Sequence, residues 1–297
     1  MSINNESSNP SDWCDFSVTG NTQVFTGAEL YKSYQVYKER FNSLPKSELI
    51  KRGWISSKKD ASCLVNYFRD IHMEKNSALY RKADNANTSL ASLWLSKVKS
   101  QAEIEVMLRP VPRFEGLSKE KLKEIARLSI DVNVLINLPR ILSKIGIVLV
   151  YMRSLPSMKL DGAVFKIDSG NPVIGMSLRY PRLDNFWFTL QHELAHIHLH
   201  IDVLDAPIIE DLDLVSDSEI EVAANRLAKS SFVERRVWRN CEPKYDKSYD
   251  AIDKFSERVG IHRAIIAGML RKEFGNYTSY SKIVNEYNIR EIISNGN

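Results

Sequence analysis

Two histidines four residues apart, with a glutamate beside the first, are the side chains of this sequence best suited to chemistry: His192-Glu193-Leu194-Ala195-His196. On a helix, positions four apart stand one turn above each other, so both imidazoles can reach one metal ion. Glu193 then lies beside that ion, where a carboxylate can take a proton from attacking water and pass it to a leaving amine. This is the arrangement of a zinc peptidase. A bare H-E-x-x-H also occurs in helices that bind nothing, so its surroundings decide its meaning. Phe186, Trp187, Phe188 and Leu190 precede the first histidine and mark a buried helix. Buried imidazoles and carboxylates need partners, and a metal supplies one.

Such a site takes a third protein ligand and leaves a fourth position to water. The extended metzincin pattern requires Gly at 199 and His at 202, where this chain has Leu199 and Asp202. That class is excluded. Downstream, Ser218 to Ala228 has helical spacing with Glu221 and Asn225 on one face. Glu221 is the expected third ligand. Asn225 is expected to hydrogen-bond the far ring nitrogen of a ligand histidine, and Ala223 and Ala224 to let this helix pack close to the first. For stabilising the oxyanion beside the metal, Tyr180, Arg179 and His262 are the candidates, though a lone histidine in the place of His262 is more often a helix cap or a surface residue. His198 and His200 are expected behind the ligands, supporting them, or on the surface, since a four-coordinate zinc takes only one further protein ligand.

The elements that must position these groups can be read from periodicity. Asp184 is the expected N-cap of the motif helix, and Leu190, Leu194 and Ile197 form its apolar stripe. Before it, Ile147 to Tyr151, Asp161 to Ile167 and Pro172 to Leu178 read as three strands, with a hairpin turn at Asp168-Ser169-Gly170-Asn171. The strand running to Tyr180 is the expected edge on which an extended substrate would pair by β-addition. Lys119 to Leu128 and Val132 to Leu142 read as helices. From Thr26 to about residue 109 the pattern is helical, through Leu30, Tyr34, Tyr37 and Phe41, then Leu64, Tyr67, Phe68 and Ile71, then Leu90, Leu93 and Leu95. Pro110-Val111-Pro112 marks a boundary. The expected organisation is a flexible tail over 1–24, a helical region over 25–109 and the metallopeptidase domain over 110–297. The fold class is α+β, mostly helical with a small mixed sheet and a zincin-like (gluzincin) core.

The 297 residues are 43% hydrophobic, enough for a sizeable core. Residues 1 to 24 are rich in Asn and Ser and lack a basic start or an apolar run, so they read as neither signal peptide nor membrane span. Cys14, Cys63 and Cys241 are too few and too scattered for a disulfide framework, which points to a reducing cytoplasm. The formal net charge is +4. Basic clusters at Lys51-Arg52, Lys58-Lys59, Arg235-Arg236 with Arg239, and Arg271-Lys272 are mostly solvated faces, with phosphate contact as the functional alternative.

The run H-E-L-A-H-I-H-L-H followed by E-x-x-A-N-x-x-A resembles the ImmA/IrrE family of zinc metallopeptidases, relatives of which are fused to HigA-type helix-turn-helix antitoxins. The resemblance extends to Pro45–Ile55, Ser92–Leu95, Gly162-Ala163, Met176–Tyr180 with Phe186–Thr189, and Gly260–Gly268, covering roughly residues 45 to 285. The chain departs from the family pattern at Ala195, where Gly is common, at Ala223, where an acidic residue is common, and at Phe232-Val233-Glu234. The resemblance implies a Zn2+-dependent endopeptidase that cuts a helix-turn-helix repressor in trans, relieving a stress, mobile-element or phage-defence operon. It also implies single-stranded DNA as a possible activator. No stretch before residue 45 suits a helix-turn-helix domain, so the repressor is expected on a separate polypeptide. The alternative from another class is a non-catalytic antitoxin-like or protein-binding regulator on the same fold. The retained Glu193 argues against it, since a purely structural metal needs no base beside an open position.

Overall fold

The computed structural model describes residues 35, 38, 41, 42, 44–60, 86–204, 208–209 and 219–295. The expected tail over 1–24, the apolar positions Leu30, Tyr34, Tyr37, Leu64, Tyr67, Phe68 and Ile71, and Cys14 and Cys63 lie outside the described residues. The order of elements is α1 (Lys46–Lys51), α2 (Ala86–Leu108), α3 (Lys119–Arg127), α4 (Val134–Ser143), β1 (Val148–Tyr151), β2 (Gly162–Lys166) and β3 (Pro172–Met176). Then follow α5 (Leu183–His200), β4 (Ile208–Ile209), α6 (Glu219–Phe232), α7 (Arg235–Arg239), α8 (Tyr249–Val259), α9 (Arg263–Phe274), α10 (Ser281–Val284) and α11 (Ile289–Asn295). This is the expected α+β class, with a zincin-like core of sheet and motif helix.

The four strands lie in the order β1-β3-β2-β4. β2 and β3 form the expected antiparallel hairpin, with Lys166 opposite Pro172, and β1 joins β3 in parallel. One expectation fails here. β3 is paired on both sides and ends at Met176, so the strand leading to Tyr180 is central and cannot accept an added peptide strand. After Ser177 the chain is turned away by Leu178, whose φ of 49° is left-handed. Arg290 of α11 donates to the carbonyls of Leu178 and Arg179 and so holds that turn. β2 is central as well: on its other side it pairs antiparallel with β4, Ala163 opposite Ile209 and Val164 opposite Ile208. Asp161 and Ile167 bond toward β3, so the alternate residues Gly162, Val164 and Lys166 direct their backbone groups the other way, as the bond from Lys166 N to the Leu204 carbonyl shows.

Period-two alternation sends the two faces of the sheet to different partners. Leu149, Val164, Ile174 and Met176 face α5 in the larger apolar cluster, with Leu122, Leu138, Trp187, Leu190 and Leu194. Val148, Val150, Ala163, Phe165 and Val173 face α2, with Leu93, Trp94 and Val98. Gly175 lets the Trp94 ring come close against the strand: a Cβ there would stand 2.8 Å from the indole. The indole N–H donates to the Met152 carbonyl at 2.9 Å. Thus Pro110 to Pro112 turns the chain, and the helix before it packs on the sheet that follows. α1 joins this layer through fully buried Leu49, and Arg52 donates to the carbonyls of Arg153 and Ser154 at 2.6 and 2.8 Å.

On the other side, α8 and α9 meet at Gly260 in a left-handed turn. α9 is buried from Ala264 to Arg271. Gly268 brings it onto α5, where a Cβ would lie 2.5 Å from an Asp184 oxygen. This helix pair therefore holds the motif helix in place and does not offer α9 to a groove. No helix of the described residues is long and apolar enough to cross a membrane.

Candidate metal centre

α5 is the axis of the site, and it is buried on nearly every side from Leu183 to Ile197. Burying leucine-sized side chains contributes about 1.5–3 kcal/mol each, and Leu190, Leu194 and Trp187 are all fully covered. Its start differs from expectation. Arg182 is the N-cap residue, in extended conformation, and Asp184 sits one position inside the first turn. Asp184 accepts from the Arg182 guanidinium through both oxygens, so it anchors the helix entry without capping it. Gln191 fixes the helix laterally. Its amide donates to the Leu122 carbonyl of α3 at 3.3 Å, and Ser231 of α6 donates to its oxygen at 2.9 Å.

α6 is the helix that α5 packs against most extensively. Small residues permit this, though not the pair expected. Ala195, Ala224 and Ala228 form the seam, while Ala223 is only half-buried. The close approach delivers Glu221, in the first turn of α6, to the two imidazoles. His192 Nε2 lies 2.8 Å from His196 Nε2, 3.1 Å from one Glu221 oxygen, and the other Glu221 oxygen lies 3.5 Å from His196 Nε2. Among the described residues these three form the one group of His, Cys, Asp or Glu side chains whose donor atoms converge, all within 4.8 Å of one another. All three are buried.

The donor set fits a divalent metal. Ligand atoms held about 2.0–2.1 Å from a tetrahedral ion are separated by about 3.3 Å, and the observed separations of 2.8, 3.1 and 3.5 Å straddle that spacing. Two imidazole nitrogens and one carboxylate are also the ligand chemistry of catalytic sites with an open position. Burial pushes the Glu221 carboxyl up, but hydrogen bonds from the His192 and His196 rings, and their charge, more than offset it and lower it to about 2. The carboxylate is thus ionised and ready to act as a ligand at neutral pH.

Glu193 is almost fully buried and abuts the start of β2. A Cβ at Gly162 would stand 2.5 Å from its Oε1 and 2.6 Å from the Thr189 methyl. The backbone of Gly162 is not left-handed, so the space, and not the torsion, requires glycine there. Beside this seat opens a narrow cleft lined by Asp161, Tyr180, Asn185 and Thr189 over an apolar floor that includes Met176 and Phe186.

The other expected groups take different places around the metal ligands. Tyr180 is 40% exposed on the rim of that cleft, beneath the Arg179 guanidinium, which in turn faces Asp161 at 3.8 Å. His262 is the cap of α9: its Nδ1 accepts from Ala264 N at 3.1 Å and its own N–H donates to Ser129 Oγ at 3.2 Å. Burial pushes its ring pKa down, and Tyr287 packs edge-on against it. Its Nδ1 is thus committed to capping, the other role expected for it. Asn225 is exposed, because α6 turns it away from the seam that holds Ala224 and Ala228, so it does not orient a ligand. His198 bonds the Leu117 carbonyl through Nδ1. His200, at the end of α5, sets its Nδ1 3.2 Å from Nδ1 of His196. From sequence, Gly162 stood out only as part of the family resemblance, and His200 only as a group behind the ligands or on the surface. A glycine opening a strand and a histidine one further turn along the motif helix were the available signals.

Cys241, the free cysteine among the described residues, is buried, and burial pushes its thiol pKa up. Arg235, Arg236 and Arg239 are exposed on α7.

Residues 143–271 match the family described as IrrE N-terminal-like domain, Peptidase_M78. No curated protein matches the chain. The matched span runs from the end of α4 through β1, the hairpin, the motif helix and α6 into α9. It therefore contains every residue of the convergent His-His-Glu group and the Glu193 seat. The match supports an ImmA/IrrE-family metallopeptidase-like domain over these residues.

Proposed function

We propose that this protein is a zinc-dependent endopeptidase that cleaves a helix-turn-helix repressor in trans. The observation that carries the reading is the convergence of His192, His196 and Glu221 from two helices, with buried Glu193 adjacent in sequence to the first ligand. His192 and His196 would hold Zn2+ through Nε2 and Glu221 through its carboxylate. When bound, the ion supplies Lewis acidity, lowering the pKa of water and polarising the scissile carbonyl. Glu193 takes the proton from the attacking water onto a carboxylate oxygen. It then delivers that proton to the amine nitrogen as the C–N bond breaks, so it ends the cycle ionised, as it began. Gly162 and Thr189 confine that carboxylate, which fixes the direction of transfer.

The repressor substrate rests on the family resemblance, and the hydrolytic chemistry on the residues. Co-incubation with helix-turn-helix repressors encoded beside this chain tests both. Fragments that appear with the wild-type chain and zinc, and that fail to appear with Glu193→Gln, support the reading. An intact, stable complex with both proteins overturns it in favour of a binding module.

A further inference from the structure

His200 stands in a place that the sequence assigned to Asn225. The motif helix carries histidines at 192, 196 and 200, each four residues from the next, so the three rings form one stripe along α5. Ring centroids of His192 and His196 are 4.5 Å apart, and those of His196 and His200 are 5.3 Å apart. His196 thus has two polar neighbours on opposite sides of its ring. Its Nε2 faces His192 and Glu221, and its Nδ1 faces His200 Nδ1 at 3.2 Å.

We infer that His200 is the positioning residue of ligand His196, its Nδ1 accepting the Nδ1–H of His196 so that Nε2 is left to the metal. A neutral imidazole carries one ring proton, and a metal takes the nitrogen without it. With Nε2 of His196 turned to the ligand group, the proton belongs on Nδ1 and needs an acceptor. His200 supplies it when its own proton sits on Nε2. Ligand histidines usually donate to a carboxylate, a carbonyl or water. Here a third histidine on the same helix does this, and the regular spacing ties the orientation of His196 to the helix itself. Asn225, facing solvent on α6, is not placed for the task.

The inference rests on the metal reading and is tested apart from cleavage. Zinc affinity of the full chain is measured by competition with a chromophoric chelator, and folding is followed by circular dichroism. His200→Ala and His200→Phe should each weaken zinc binding by about 10- to 100-fold. His200→Asn, whose Oδ1 occupies the place of Nδ1, should restore affinity to within a few-fold of wild type. A packing role alone predicts that Phe is tolerated and Asn is not. In the zinc-loaded wild-type chain, 15N spectra of the histidine rings should show the proton of His196 on Nδ1, whatever the fate of the variants. Equal zinc affinity across the series, or zinc on Nδ1 of His196, overturns this inference alone. A wild-type chain that binds no zinc overturns the metal reading and this inference with it.

Discussion

Adding one methyl group at Gly162 tests how tightly the fold controls the proposed base. The Cβ of Gly162→Ala would lie 2.5 Å from Glu193 Oε1, 2.6 Å from Thr189 Cγ2 and 3.2 Å from Glu193 Cδ. Non-bonded carbons settle at about 3.5–4.0 Å, so the first two contacts are short by about 1 Å. Thr189 is β-branched and held in the helix, and α5 is buried over most of its length, so neither yields easily. The carboxylate of Glu193 must then move by about 1 Å, or β2 must lift from α5. Overpacking of this kind costs about 1–3 kcal/mol in stability, and each kcal/mol lowers Tm by about 2–4 °C in a domain of this size. A catalytic group displaced by about 1 Å loses about 10²-fold in rate, equivalent to about 2.7 kcal/mol at 1.36 kcal/mol per tenfold. The ligand side chains are not among the nearest atoms, so zinc affinity should stay within a few-fold. The assays are thermal unfolding, chelator competition and cleavage of a repressor substrate. Wild-type Tm together with wild-type cleavage would refute the claim that β2 confines the base.

Other consequences follow from the same packing and charges. Gly175→Ala places a Cβ 2.8 and 2.9 Å from Trp94 and Val98 on the opposite sheet face, so it should cost about 1–3 kcal/mol in denaturant unfolding while leaving zinc affinity unchanged. Burial pushes the Glu273 carboxyl up, but hydrogen bonds from Lys244 and Trp238 more than offset it and hold it below its ordinary value. Its folded pKa is depressed, so its contribution is present above the ordinary carboxylate pKa and is lost as pH falls through the folded value. Glu273→Gln should therefore lose stability near neutral pH, by about 1 kcal/mol or less for so exposed a network, and show a flatter acid limb in Tm against pH. If the exposed Arg235, Arg236 and Arg239 meet single-stranded DNA, binding should weaken linearly in log–log plots against salt, and replacing all three by Ala should reduce the slope. An unchanged slope removes α7 from that role.

The readable parts of the chain were those in which a local pattern and the tertiary demand agree. The strand at 148–151, the hairpin closed by Asp168 to Asn171 and the α3 start at Ser118, whose hydroxyl accepts from Lys121 N, each carry their signal in a few adjacent residues. The His-His-Glu group was legible for the same reason, because ligand spacing on α5 is local and Glu221 sits in another short helical pattern. Strand order was not legible. β3 becomes central because β1 adds to it in parallel from a distance in sequence, and no residue of Pro172 to Met176 announces which side will be covered. The faces of α6 were misread in one respect. Both Ala223 and Ala224 are small, but the contact rotates the seam to Ala224 and Ala228, which carries Asn225 to solvent. His262 shows the opposite difficulty. A histidine at a helix start satisfies backbone N–H groups and can also do chemistry, and only its contacts with Ala264 and Ser129 separate the two.

The most direct test of the account is the zinc content and affinity of three purified proteins: wild type, Glu193→Gln and Glu221→Gln. Wild type and Glu193→Gln should each bind about one zinc ion per chain with similar affinity, as expected for three protein ligands that do not include Glu193. Glu221→Gln should lose that binding by about 100-fold or more while keeping its circular dichroism spectrum. Undiminished zinc binding by Glu221→Gln, or none by the folded wild-type chain, would contradict the metal centre described above.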